Sequence, residues 1–82
     1  MSTAEKVLAV LADVAEVDEV RQDPDLRLYD LQILDSLKTV ELLIAFSDVF
    51  GVEISPAELE RDQWATPGRI VAYMEHRLQS VG

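Results

Sequence analysis

The sequence predicts an all-α fold of four helices, with a long loop between helices 1 and 2 and a short third helix. Three observations support it. Apolar residues recur at helical spacing in three segments, and Ser, Thr and Pro stand where helices should start while Gly51 stands where one should stop. The strand-like pieces, around Leu26 and Leu28 and in "GVEIS" from Gly51, are too short to make a persuasive sheet. The chain of 82 residues fits one small domain, 1–82, above the size at which metals or disulfides usually become necessary.

In "STAEKVLAVLADVAEV", Ser2 and Glu5 have the spacing of a capping box, and Val7, Leu8, Val10, Leu11, Val14 and Val17 form one apolar stripe. Glu5, Asp13, Glu16, Asp18 and Glu19 fall mostly off that stripe. From about Val20 to Leu34 the repeat is lost, Pro24 disfavours helix at Asp23, and a loop pinned by Leu26, Leu28, Leu31 and Leu34 is expected. The second helix runs from Ser36 to about Phe50 before Gly51. Its Val40, Leu43, Phe46, Val49 and Phe50 cover a core side, while Leu37, Leu42 and Ile44 widen the apolar arc, which is expected either of a central helix buried on several sides or of one that turns some of these residues to a partner. Ser55, Pro56 and Glu58 mark a short third helix, and Thr66 and Pro67 open a fourth, with Ile70, Tyr73, Met74 and Leu78 on one face. Trp64 is expected to anchor the third element onto the fourth.

Composition removes several function classes. There is no cysteine, hence no disulfide framework and no thiolate of the chain's own. Sixteen acidic residues against seven basic ones give a net charge of −9, which disfavours nucleic acid and anionic lipid and favours partners with basic patches. No apolar run approaches the roughly 18 residues of a membrane helix, and "MSTAEKVLAV" has no basic start before an apolar core, so a cytoplasmic protein is expected. "DVAEVDEVRQDPD" lacks the ligand alternation, glycine and terminal glutamate of a calcium loop, and no metal site is expected.

Catalytic material is equally sparse. The one histidine, His76, sits between Glu75 and Arg77 near the end of the fourth helix and is read as a solvated residue. Ser36 begins the second helix without a base to activate it, so if its hydroxyl reacts another protein must supply the activation. A helix start welcomes a phosphate through its backbone N–H groups, but Asp35 and Ser36 are also ordinary helix starters, and local chemistry alone favours a cap with no further purpose.

The stretch "LDSLKTVELLIAF" resembles the attachment motif of the acyl carrier protein superfamily, and the likeness of helix lengths, loop and acidity extends over nearly the whole chain. This resemblance implies a non-enzymatic carrier with 4′-phosphopantetheine covalently on Ser36, the preceding Asp35 belonging to the motif. It also implies that Leu37, Val40, Glu41 and Ile44 meet partner enzymes, the first of them a phosphopantetheinyl transferase that uses coenzyme A. One position departs from the family pattern, Gln32 in place of the glycine usual three residues before the Asp, while Leu37 fits the superfamily motif but is closer to fatty-acid carriers than to D-alanyl carriers, which often have Met after the serine.

Within the superfamily, "FGVEISPAELERDQWATPGRI" is similar to the D-alanyl carrier proteins of Gram-positive cell-wall synthesis, with Trp64, Thr66 and Pro67 in a Trp-x-Thr-Pro sequence. That likeness implies a monomer that takes D-alanine as a thioester from an adenylating ligase and passes it, through a membrane acyltransferase, to teichoic acid. The alternatives are a stand-alone aminoacyl, peptidyl or fatty-acyl carrier, and, in another class, an acidic helical interaction domain without a prosthetic group.

Overall fold

The computed structural model describes residues 2–55 and 60–80, and among them are three α-helices and no strand. Helix α1 spans Thr3–Ala15, α2 Ser36–Phe50 and α3 Pro67–Ser80, with 3-10 turns at Asp18–Arg21 and Arg61–Trp64. The all-α expectation holds. Of the short third helix expected in "SPAELERDQ" from Ser55, residues 56–59 lie outside the described residues and the later part lies in the 3-10 turn Arg61–Trp64, so the helix expected as the fourth is α3 here.

Helix α1 starts as its cap predicts: Ser2 Oγ accepts from the Glu5 N–H at 3.2 Å, and the Glu5 carboxylate meets the Ser2 hydroxyl at 3.4 Å. It ends at Ala15 because Glu16 turns left-handed (φ 60°), which takes Val17 off the helical stripe. Val7, Leu11, Ala12 and Ala15 are buried, and α1 packs against both α2 and α3. Of the residues expected to pin the loop, Leu26, Leu28 and Leu34 are buried as predicted. Leu31 is not; it is 57% exposed, because the chain coils through Leu31 N–H to Arg27 O (3.0 Å) and Gln32 N–H to Tyr29 O (3.1 Å) and turns that side chain outward. Val20, within the unpredicted first 3-10 turn, takes a place in the core.

The loop is held mainly by backbone bonds to Leu28. Its N–H donates to Ala65 O (2.9 Å), and its carbonyl accepts from Ile33 N (2.8 Å) and Leu34 N (3.0 Å). Loop and α3 meet again where the Gly68 N–H, one of the unpaired donors of a helix start, reaches Pro24 O at 3.0 Å. A Cβ at Gly68 would lie 3.1 Å from that same oxygen, so the close approach of the two backbones suits glycine. Thr66 caps the next donor, its Oγ1 accepting from Arg69 N at 3.2 Å.

Trp64 is fully buried and edge-on to two rings, Phe46 (5.6 Å between centroids) and Tyr73 (5.8 Å); the second contact anchors the turn before α3 onto α3 as expected, and the first adds an unexpected tie to α2. Ile70 and Met74 are buried beside it, with Tyr73 and Leu78 partly so.

The residue that replaces the expected glycine, Gln32, adopts φ 60°. A side chain in that region carries a steric cost of roughly 1–2 kcal/mol, partly offset because glycine loses more backbone freedom on folding. Gln32→Gly should therefore stabilise the fold by about 0.5–1 kcal/mol, measured as a higher urea midpoint at unchanged slope. A lower midpoint would show that the Gln32 side chain contributes more than its backbone costs.

Candidate functional site

The start of α2 divides two tasks between neighbouring residues. Asp35 is the cap: its backbone is extended, its Oδ1 accepts from Lys38 N at 2.8 Å, and its carbonyl accepts from Thr39 N (2.9 Å) and Thr39 Oγ1 (2.7 Å). Ser36 is therefore the first helical residue and not the capping one, which corrects the expectation that its hydroxyl serves the helix. The Ser36 side chain is exposed, and no described residue hydrogen-bonds it.

A second contact fixes this start from the loop side. Thr39 Oγ1 gives its only proton to Asp35 O, so at the 3.0 Å contact with Tyr29 the phenol is the donor. The segment from Tyr29 to Asp35 is thereby closed on itself, with buried Leu34 immediately before the cap. None of the residues bonded around this start is a histidine. His76 lies exposed on α3, among Gln63, Arg69, Ala72 and Tyr73. Among the described residues no group of carboxylates and histidines is arranged to hold a metal ion.

Beyond Ser36, α2 has two apolar sides. Leu42, Leu43 and Phe46 are buried, whereas Leu37 (68% exposed), Val40 (42%) and Ile44 (59%) face outward. At about 100° per residue, those three share an arc of roughly 100° with Glu41 and Asp48. Leu37, Val40, Glu41 and Ile44 thus lie together on one exposed face, beginning one residue after Ser36. Two core expectations fail, and one of the residues left open between core and partner belongs to the core. Val40 and the 52%-exposed Val49 are outside, and Leu42 is inside, because the buried side centres on the Leu43–Phe46 direction. Beside the face, Val40, Leu43, Ile44, Ser47, Glu53 and Ile54 line a shallow groove of about 270 Å³. Exposed Leu31 adds an apolar residue from the loop that sequence periodicity could not assign to the surface.

These residues fit a prosthetic group attached through phosphate. The hydroxyl is accessible and engaged by no described residue, and the first turn of a helix directs backbone N–H groups and positive potential towards an anion. Apolar side chains stand close by for an arm to pass.

Comparison with known proteins bears on the same site. Residues 5–74 match the family described as "Phosphopantetheine attachment site". The chain is 42% identical over 71 residues to a protein of Bacillus velezensis named "D-alanyl carrier protein", a match that covers 87% of this chain and 91% of the relative.

The division of tasks at the helix start is measurable. Asp35→Ala should lower stability by about 1 kcal/mol through loss of the cap, while Ser36→Ala should change it by less than about 0.5 kcal/mol, as at an unengaged surface position. Chemical denaturation of the two variants side by side checks this. Equal losses would return the capping role to Ser36.

Proposed function

The chain belongs to the phosphopantetheine-attachment family of carrier proteins, and from that premise we propose that Ser36 bears the arm and that the cargo is D-alanine destined for teichoic acid. The observation that carries the attachment point is the exposed Ser36 hydroxyl, released from capping by Asp35 at a helix start. When bound, 4′-phosphopantetheine supplies the thiol that a chain without cysteine lacks. The rest of the work falls to the chain's own residues.

Ser36 Oγ acts as a nucleophile only within a complex with a phosphopantetheinyl transferase. It forms the new O–P bond to coenzyme A, its proton passes to that enzyme's base, and the phosphoanhydride bond breaks to release adenosine 3′,5′-bisphosphate. Asp35 holds the helix start still beneath it. Leu37, Val40 and Ile44 form the apolar centre of the surface that the transferase, an adenylating ligase and a membrane acyltransferase meet in turn, with Glu41 and Asp48 as its charged border. A net charge of −9 steers enzymes with basic patches towards that face. On this reading the protein acts as a monomer in the cytoplasm, where coenzyme A and the ligase are found. No helix among the described residues is long and apolar enough to cross a membrane.

D-Alanine as cargo is supported by the name of the 42%-identical relative and by Trp64, Thr66 and Pro67, which stand in the Trp-x-Thr-Pro sequence of D-alanyl carrier proteins. Leu37 after the serine favours a second reading, a fatty-acyl carrier.

Incubation with a promiscuous phosphopantetheinyl transferase and coenzyme A should add one phosphopantetheine to the wild type and none to Ser36→Ala, read by intact mass. An unmodified wild type would leave a helical interaction domain as the better account. For cargo, the protein carrying the arm with its thiol free should be offered to adenylating enzymes for D-alanine, L-amino acids and fatty acids. Acylation with D-alanine is expected, and loading by a fatty-acyl enzyme alone would replace the D-alanyl reading with the second one.

A further inference from the structure

Lys38 occupies the first turn of α2, two residues after Ser36, at a position where its charge does not suit its own helix. The N-terminal end of a helix carries positive potential, so an ammonium there is disfavoured and a carboxylate preferred. The first turn of α2 contains no acidic residue, and Asp35 already serves as the cap. The side chain instead crosses to α1. Lys38 Nζ donates to Val14 O at 3.1 Å and stands 3.6 Å from Glu16 Oε2.

Val14 lies in the last turn of α1, where carbonyls have no partner within the helix and the potential is negative. No basic residue of α1 serves that end. Lys38 supplies from the neighbouring helix the cation and the donor that the C-terminus of α1 lacks. Its side chain is 31% exposed, whereas that of Glu16 is 80% exposed. The bond to the carbonyl is therefore the sheltered contact, and the carboxylate is the more solvated one.

Because the Lys38 N–H is held by Asp35 while its Nζ is held by Val14, one residue joins the cap of α2 to the end of α1. We infer that Lys38 is a positioning residue for modification at Ser36: it fixes the first turn of α2 against α1 and so sets the orientation in which the Ser36 hydroxyl is presented. This inference rests on the proposal that Ser36 is the attachment point, but its structural half can be tested without it.

Two measurements on the full chain separate the possibilities. Lys38→Met keeps the apolar stem and removes the ammonium. Amide exchange at Thr39 and Val40 should accelerate several-fold, with exchange in the middle of α1 and of α3 unchanged, and kcat/KM for phosphopantetheinyl transfer should fall several-fold. Lys38→Arg should restore most of both. Glu16→Lys, which brings a like charge to the same end of α1, should shift both quantities in the same direction, more at low salt than at high. It also provides the test should Lys38→Met fold poorly. Slower transfer with unchanged exchange would make Lys38 a direct contact of the transferase and overturn the inference. Faster exchange with unchanged transfer would overturn it equally. If the wild type is not modified at all, the attachment proposal fails, while unchanged exchange in Lys38→Met would refute the bridging role separately.

Discussion

The hydrogen bonds around Leu28 are the constraint on which the placement of the second helix depends. A connector without regular structure must satisfy its buried backbone groups individually, and Leu28 does this in three directions at once. Its N–H reaches the approach to α3, and its carbonyl gathers Ile33 and Leu34. Its side chain is fully buried, as is that of Leu34, which directly precedes the cap of α2. Fully burying a leucine side chain contributes roughly 1.5–3 kcal/mol, so these two residues offset part of the entropy of ordering the loop. The start of α2 is thus placed by tertiary contacts before any property of the helix itself is considered.

Once placed, α2 faces two apolar environments. The Leu42, Leu43 and Phe46 side closes the core against Trp64, while the Leu37, Val40 and Ile44 side remains in water. A helix that is apolar almost all round normally belongs in an interior, and a contiguous exposed apolar patch with a polar border is a mark of partner binding. The carboxylates of Glu41 and Asp48 share that face with the aliphatic residues. They disfavour association of one copy with another and leave the patch open to a partner of opposite charge.

Much of this was legible in the sequence because it depends on local chemistry. Caps announced the starts of α1 and α3, Gly51 takes the left-handed conformation that ends α2, and three of the four loop leucines are buried where expected. What was not legible depends on direction. Periodicity gives the angles between side chains on a helix but not which angle points inward, and for α2, apolar on both sides, this left Leu42 undecided and put Val40 and Val49 on the core side. Leu31 turned outward because of the coil around Tyr29 and Gln32, for which composition gives no sign. The bridge from Lys38 to Val14 joins elements far apart in sequence, and only the packing of α1 against α2 reveals it.

The adjacency of Asp35 and Ser36 gains a physical meaning from this geometry. Both residue types are good caps, and a sequence alone leaves the task to either. A shift of one position separates their chemistry. At the cap, a side-chain oxygen is turned back onto the third amide of the helix and is consumed there, as Asp35 Oδ1 is by Lys38 N. At the first helical position the side chain projects outward, and its hydroxyl stays available to an external reagent while the backbone beneath it is fixed. Placing the carboxylate first and the hydroxyl second therefore provides a rigid helix start and a free nucleophilic oxygen together. The reverse order would engage the hydroxyl in the cap and leave the carboxylate, which cannot accept a phosphate ester, as the outward-projecting group.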